Sequence, residues 1–176
     1  MDTEALKTRV RQAFSQVEFP GEWCLRGSNE GDEPYLMEEE FKGKSDWQAI
    51  DATFLDQAPA GLSSALSFFS DEAFRFYLPA YLIADIDGLL VSTNPVFHLT
   101  HGLTDAARAE KVNPRRYGER TWFEAACHKL AVFDKAQAAA IVTYLEFKRE
   151  TDEFEREDIN QALANFWRHR AAGADT

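Results

Sequence analysis

Two histidines, His98 and His101, lie three residues apart in the segment His98-Leu-Thr-His101. On a helix this spacing places both imidazoles on one face, where they could share a metal ion. A catalytic zinc site normally needs three protein ligands, and the pair has neither an HExxH pattern nor a recognisably spaced third ligand. We therefore expect no metal site. The simpler interpretation is two ordinary histidines beside a turn.

A second group of polar residues, Glu72, Arg75, Tyr77 and Tyr81, lies in the most hydrophobic stretch of the chain. Glu72 and Arg75 are about one helical turn apart, and the two tyrosines are four residues apart. One interpretation is an intrahelical salt bridge that stabilises the helix and ties down a neighbouring loop. The other is a pocket in which an acid, a cation and two phenols converge. The sequence leaves both open.

Two further patterns are weaker than they first look. Cys127 and His128 are adjacent, so on a helix their side chains diverge by about 100° and cannot form a local catalytic dyad. The segment Asp85-Ile86-Asp87-Gly88 matches the middle of a calcium loop, but isoleucine and asparagine occupy the end positions that need Asp and Glu. A helix end capped by its glycine explains that segment better. No catalytic residue can be assigned from these patterns.

The helix that must position the four central polar residues is predicted from Ser70, its N-cap, to a stop at Gly88. Its aromatic density makes it apolar nearly all round, which is typical of a buried helix at the centre of a fold. Pro79 lies inside it and predicts a kink. The predicted core residues are Phe69, Phe76 and Leu82.

Apolar periodicity and capping residues predict several other helices. They cover residues 2–17, 34–41, 47–55, 122–132, 137–150 and 152–167. The segment Asp134-x-x-Gln137 is a variant of the capping box and predicts the start of the fifth of these helices. Residues 89–99 fit either short extended pieces or a helical turn. Residues 104–120 are polar, with five basic and three acidic residues, and are predicted to be a long exposed loop. The expected fold is mainly α: a single domain over residues 1–176, with five to seven helices around the central helix and room for one short β-hairpin.

The net charge of −11 excludes a non-specific nucleic-acid binder and a binder of anionic membranes, because both need a basic surface. Acidic residues are dense in residues 29–46, which hold seven acids and two lysines. The longest apolar run is about half the length that spans a bilayer, and the N-terminus lacks the pattern of a signal peptide. Two cysteines form no disulfide framework. A cytoplasmic location is therefore expected.

The central segment Ala65-Leu-Ser-Phe-Phe-Ser-Asp-Glu-Ala-Phe-Arg-Phe-Tyr-Leu-Pro-Ala-Tyr-Leu82 resembles the hallmark of a bacterial family known only as a domain of unknown function. The upstream Phe41-Lys-Gly-Lys-Ser-Asp-Trp47 is similar to that family's F-x-G-x-x-W stretch. The resemblance covers roughly residues 10 to 147. Some members carry a cysteine pair before this stretch, whereas here only Cys24 is present. The resemblance implies a family and no catalytic residues.

The leading functional hypothesis is an acidic protein-interaction module that binds a basic protein, with an immunity or inhibitor protein as one specific form. It predicts no nucleic-acid partner, no membrane partner and no cofactor, and it favours a protein that is not an enzyme. The alternative is a small enzyme or ligand-binding domain with a pocket beside the central helix. The candidate binding residues are Glu72, Arg75, Tyr77, Tyr81, His98 and His101.

Overall fold

The computed structural model describes residues 2–59 and 65–173. It is 65% helical, and the described ranges contain no strand, so the predicted mainly α class is confirmed. The described residues divide into two compact units, one within residues 2–95 and the other within residues 96–173, which are described separately. One domain spanning residues 1–176 stays a prediction. No helix in the described ranges is both long enough and apolar enough to cross a membrane.

The N-terminal unit is built around four α-helices. They are α1 (Thr3–Phe14), α2 (Glu33–Phe41), α3 (Ala52–Gln57) and α4 (Asp71–Ile86), with 3₁₀ turns at Glu22–Cys24, Trp47–Ala49 and Ala65–Ser67. Helices α1 and α3 both pack against α4. The ammonium of Lys7 in α1 lies 2.6 Å from the carboxylate of Asp87, which fastens α1 to the end of α4.

Helix α4 has the bounds and burial that its sequence predicts. The Ser70 hydroxyl accepts a hydrogen bond from the backbone N–H of Ala73 at 3.0 Å and so caps the helix. At the other end Gly88 has φ +69°, and the backbone N–H groups of Gly88 and Leu89 donate to the carbonyls of Asp85 and Ala84. Pro79 lies inside the helix without ending it. The predicted core residues, all of them buried, are Phe69, Phe76 and Leu82.

The helix predicted over residues 47–55 is wrong as a single element. A 3₁₀ turn at Trp47–Ala49 ends at Ile50, whose backbone is extended, and α3 starts afresh at Ala52. The cause is local: the Asp51 carboxylate accepts hydrogen bonds from the backbone N–H groups of Thr53 and Phe54, as an N-cap does.

The described part of the C-terminal unit contains two short helices followed by three longer helical segments. The elements are α5 (Pro95–Thr100), α6 (Pro114–Tyr117), α7 (Trp122–Leu130), α8 (Lys135–Thr151), α9 (Arg156–Ala162), a π-helical turn (Leu163–Trp167) and α10 (Arg168–Ala172). The capping box predicted at Asp134 and Gln137 is present at the start of α8. Buried side chains of α8 and the π turn, including Tyr144, Phe166 and Trp167, form the core of this unit.

Two segments that the sequence left irregular contain helical structure. Within residues 89–99 the helical alternative is right, because α5 begins at Pro95 and the described residues there form no strand. Residues 104–120 are mostly exposed, as predicted, but an uninterrupted loop is wrong: they include the 3₁₀ turn Ala106–Arg108 and α6. An antiparallel bridge between Lys111 and Thr121 closes the segment. Short-range bonds therefore organise a stretch that lacks apolar periodicity.

Candidate functional site

The four polar residues of α4 that were singled out in the sequence differ in their exposure to solvent. Glu72 is exposed in the first turn, where its carboxylate lies 3.7 Å from the thiol of Cys24. Arg75 is half-buried, one turn further along. Tyr77 and Tyr81 lie in the fully buried part of the helix. These four side chains therefore differ in exposure, and a binding site that they share stays a prediction.

The two tyrosines of α4 have different hydrogen bonding. The Tyr77 hydroxyl donates to the backbone carbonyl of Lys44 at 2.9 Å. The Tyr81 hydroxyl has no hydrogen-bond partner among the described residues. Burial raises the pKa of both phenols well above the ordinary value, with a smaller contribution from Glu22 for Tyr77 and from Tyr77 and Asp56 for Tyr81. Both hydroxyls stay protonated at neutral pH and are core groups.

The histidine pair, by contrast, does line a cavity. The cavity lies between α5 and α7, has a volume of about 180 Å³, and is named here the His98 cavity. Its lining residues are Phe97, His98, His101, Trp122, Ala125, Ala126, Lys129 and Leu130. The ring of His101 stacks on Phe97 at 4.8 Å between centroids, and its other neighbour, Trp122, meets it edge-on at 5.2 Å.

His98, the less exposed of the two histidines, is uncharged at neutral pH. Burial, together with the smaller influence of the charges of Lys129 and His101, lowers the pKa of His98 to about 4. A neutral imidazole has one N–H donor and one nitrogen acceptor. His98 can therefore donate one hydrogen bond and accept another without carrying a charge of its own.

A close backbone approach brings α7 against the end of α5. Gly102 has φ +82°, and a Cβ there would lie 2.9 Å from the Ala126 Cβ and 3.0 Å from the Trp122 carbonyl. Only glycine fits both the left-handed backbone and this spacing. The π turn also contacts α5, because the Trp167 indole N–H donates a hydrogen bond to the Leu99 carbonyl at 2.7 Å. A π turn within a longer helix is often found beside a functional site.

A second cavity, of about 270 Å³, adjoins the same aromatic residues. Phe97, His101 and Trp122 line it as well, but its polar residues include Glu110 and Asp158. One cavity therefore has a lysine at its wall and the other has two carboxylates. The sequence pattern identifies the two histidines but not Trp122 and Lys129, which line the cavity only because α7 packs beside α5.

Cys127 and His128, the other residues considered for catalysis, are not among the residues that line the His98 cavity. Cys127 is half-buried, and burial raises the pKa of its thiol against the opposing influence of Arg108. Its neighbour His128 is exposed. Across residues 2–59 and 65–173 no group of three or more His, Cys, Asp or Glu side chains is arranged to hold a metal ion.

The N-terminal unit presents a surface of different character. Trp23, on the 3₁₀ turn at residues 22–24, is 84% exposed. It lines a depression of about 250 Å³ together with Glu22, Leu25, Glu38, Glu39 and Lys42, and these six residues are named here the Trp23 surface. The Trp23 surface therefore combines one exposed aromatic side chain with three carboxylates.

Residues 2–171 match the model of a family of unknown function, DUF6714. The chain belongs to this family. No curated protein and no solved structure matches it. Two features that suggested a family resemblance in the sequence, Phe41 and the segment of α4 that holds Tyr77, lie in the core of this DUF6714 chain. These residues contribute to the packing of the core, and no activity follows from them.

Proposed function

We propose that the protein is an interaction module that binds a basic segment of a partner protein at the Trp23 surface. The observation that supports this most directly is the 84% exposure of Trp23 beside three carboxylates. Tryptophan is enriched among the residues that dominate binding energy at protein interfaces. A large exposed aromatic residue is also the best partner for a lysine or arginine that approaches its face.

The charges around Trp23 favour a cationic partner. Glu38 is engaged by Arg26 in an ion pair, and the Glu22 carboxylate accepts a hydrogen bond from the Gly43 backbone at 3.0 Å. Glu39 lies 3.9 Å from Lys42, a distance at which an exposed pair contributes little. The carboxylates are thus positioned by their neighbours without being buried. The negative electrostatic potential of these carboxylates attracts basic ligands and raises their association rate.

One carboxylate of the Trp23 surface, that of Glu38, already takes part in the type of contact that the proposal requires. The guanidinium of Arg26 lies 4.3 Å from the centroid of the Tyr35 ring while it pairs with Glu38. A partner's arginine placed over Trp23 and near Glu39 would repeat this combination of aromatic face and carboxylate. An immunity or inhibitor protein that neutralises a basic toxin is one form that such a module can take.

The alternative of a small enzyme beside α4 has less support. It requires Tyr77 and Tyr81 to reach a substrate together with Glu72 and Arg75. Both tyrosines are fully buried, and Glu72 lies at the surface. A rearrangement of the core would be needed to bring these groups together.

The proposal is tested by titrating the protein with a nine-residue arginine-rich peptide, using isothermal titration calorimetry. We expect Trp23→Ala to weaken binding at least tenfold. The matched control is Phe154→Ala, which removes an aromatic side chain that is 99% exposed in the other unit and should leave the affinity unchanged. Raising the salt concentration should also weaken binding, since the attraction depends on exposed charges.

Equal affinity in the wild type and Trp23→Ala would contradict the proposal. So would equal binding of a length-matched acidic peptide, because the contact would then not depend on the sign of the charge. Both variants change exposed side chains, so both are expected to fold, and thermal unfolding of each variant checks this.

A further inference from the structure

Three aromatic residues and two acidic residues meet at one cavity of the C-terminal unit. This cavity of about 270 Å³, named here the Glu110 cavity, is lined by Phe97, His101 and Trp122 together with Glu110 and Asp158. We propose that it binds a small trimethylammonium compound. These lining residues all lie within residues 96–173, so the site is independent of the Trp23 surface.

The aromatic part of the wall is continuous. The ring of His101 contacts the rings of Phe97 and Trp122 at centroid distances of 4.8 and 5.2 Å, which fixes the three rings relative to one another. Phe97 is 48% exposed and Trp122 is 36% exposed, so part of each side chain is open to solvent. A cation within about 6 Å of an aromatic centroid is attracted to the face of the ring, and groups of such rings are typical sites for quaternary ammonium ligands.

The two acidic residues give the wall a negative charge. Within residues 2–59 and 65–173, neither Glu110 nor Asp158 forms an ion pair with a basic side chain. The basic residues of the neighbouring segment are engaged elsewhere: Lys111 Nζ lies 2.6 Å from the carboxylate of Glu119, and the guanidinium of Arg108 lies 3.7 Å from the centroid of an aromatic ring outside the cavity. A wall of this charge attracts cations.

Hydrogen bonds hold the acidic residues close to the aromatic wall. The backbone N–H of Trp122 donates to the carbonyl of Glu110 at 2.9 Å, which places these two residues side by side. Helix α9 carries Asp158, and the Gln161 side chain ties this helix to the segment after α5 by accepting a hydrogen bond from the Asp105 N–H at 2.8 Å. A wall that is formed before the ligand arrives loses less entropy on binding.

The size of the cavity and the chemistry of its wall favour a small methylated cation. Its volume lies between the roughly 150 Å³ that holds benzene and the roughly 300–1,000 Å³ of pockets for drug-sized ligands. A primary ammonium is strongly hydrated and has three N–H donors, which lose water partners against aromatic faces. A quaternary ammonium has no N–H donor, so it contacts the rings without leaving a hydrogen bond unmade.

The experiment uses the full-length protein and three probes titrated in ¹H–¹⁵N NMR spectra: choline, its uncharged isostere 3,3-dimethylbutan-1-ol, and the primary ammonium ethanolamine. We expect choline to shift the amide signals of α5, α7 and α9 and to bind at least tenfold more tightly than either analogue. The absence of these shifts would overturn the proposal. Equal binding of the uncharged isostere or of ethanolamine would also overturn it, because the site would then recognise neither the charge nor the methyl groups.

Two variants test the aromatic and acidic parts of the wall separately. Trp122→Leu keeps an apolar side chain but removes the ring, and it should weaken choline binding at least tenfold. Its matched control is Phe154→Leu, at an aromatic residue that is 99% exposed and outside the cavity, which should leave the affinity unchanged. Glu110→Gln should reduce the preference for choline over its uncharged isostere at least threefold, whereas Glu150→Gln, at an exposed position of α8, should not.

Wild-type affinity for choline in both Trp122→Leu and Glu110→Gln would overturn the proposal. Glu110→Gln changes an exposed side chain, so it decides the matter if Trp122→Leu does not fold. Trp23→Ala should leave choline binding unchanged, which separates this site from the Trp23 surface. A pentapeptide with a central trimethyl-lysine should bind no more tightly than choline, and tenfold tighter binding of the peptide would overturn the assignment to a small compound.

Discussion

Each unit of this protein contains a cluster of contacting aromatic rings, and the two clusters differ in what surrounds them. In the N-terminal unit Phe41 meets Phe69 and Tyr77 with centroid distances of 4.8 and 4.9 Å, and all three rings are buried. In the C-terminal unit His101 contacts Phe97 and Trp122 at 4.8 and 5.2 Å, yet these rings reach solvent and border two cavities. We name them the closed cluster (Phe41, Phe69, Tyr77) and the open cluster (Phe97, His101, Trp122).

The comparison shows that ring–ring geometry alone does not identify a site. The distances in the two clusters are almost the same. The difference lies in the neighbours: the closed cluster is filled by further large side chains such as Phe54 and Phe76, whereas alanines and a glycine border the open cluster. Small neighbours leave a cavity, and a cavity is what a ligand needs.

The largest expected effect is on the closed cluster. Phe41→Ala should lower the free energy of unfolding by roughly 3–5 kcal/mol, because it leaves a cavity where three rings now meet. Trp122→Ala in the open cluster should cost less than half as much, since its ring is 36% exposed. Urea unfolding of both variants measures this. Equal losses would show that the two clusters are equally important for stability, which would contradict the difference between them that we infer from their burial.

The second effect concerns pH and the open cluster. In the folded state the pKa of His98 lies at about 4, below the ordinary value of 6.5. Below pH 6.5 the unfolded chain therefore binds a proton that the folded protein excludes, and stability is lost as the pH falls toward 4. Between pH 7 and pH 5 we expect a loss of about 1–2 kcal/mol from this group.

Urea unfolding at both pH values, compared between the wild type and His98→Gln, isolates that contribution. The variant should lose less stability than the wild type over this interval. His128→Gln, at an exposed histidine, serves as the control and should behave like the wild type. A pH dependence identical in all three proteins would show that His98 is not shielded from protonation.

The third effect distinguishes two phenols of the N-terminal core. Tyr77→Phe should destabilise the protein by about 1 kcal/mol, because it removes the hydrogen bond to the Lys44 carbonyl. Tyr81→Phe should stabilise it by a similar amount, since the hydroxyl that it removes has no partner among the described residues. Changes of the same sign in both variants, measured by urea unfolding, would contradict this assignment of their hydroxyls.

The smallest expected effect is on metal content. No zinc should be present in stoichiometric amount in the purified protein, and a chelator should leave its melting temperature unchanged. A bound metal would stabilise the folded state by about 2.7 kcal/mol at a hundredfold excess over Kd, which a melting curve detects. If the protein held one zinc per chain, and His98→Ala lost both that zinc and several degrees of melting temperature, the pair His98 and His101 would be a metal site.

Features with a local cause were predictable from the sequence. Ser70, Gly88 and the Asp134–Gln137 capping box all act through bonds to residues within four positions, so the ends of α4 and the start of α8 follow from the order of residues alone. The family resemblance came from the same central segment. The Asp51 cap that divides residues 47–55 is equally local. The prediction of one helix there followed the apolar spacing of Trp47, Ile50 and Phe54 and overlooked this cap.

Where a side chain lies in three dimensions was decided by the tertiary structure. Glu72 and Tyr77 are five residues apart on one helix, yet one is exposed and the other buried, because burial depends on which elements cover each face of α4. Trp122 and Lys129 join His98 only through the close approach of α7 at Gly102. The sequence by itself determined the longer helices, such as α4 and α8, and the family, since those depend on local bonds and a continuous motif. The cavity required contacts between distant segments, which no local pattern encodes.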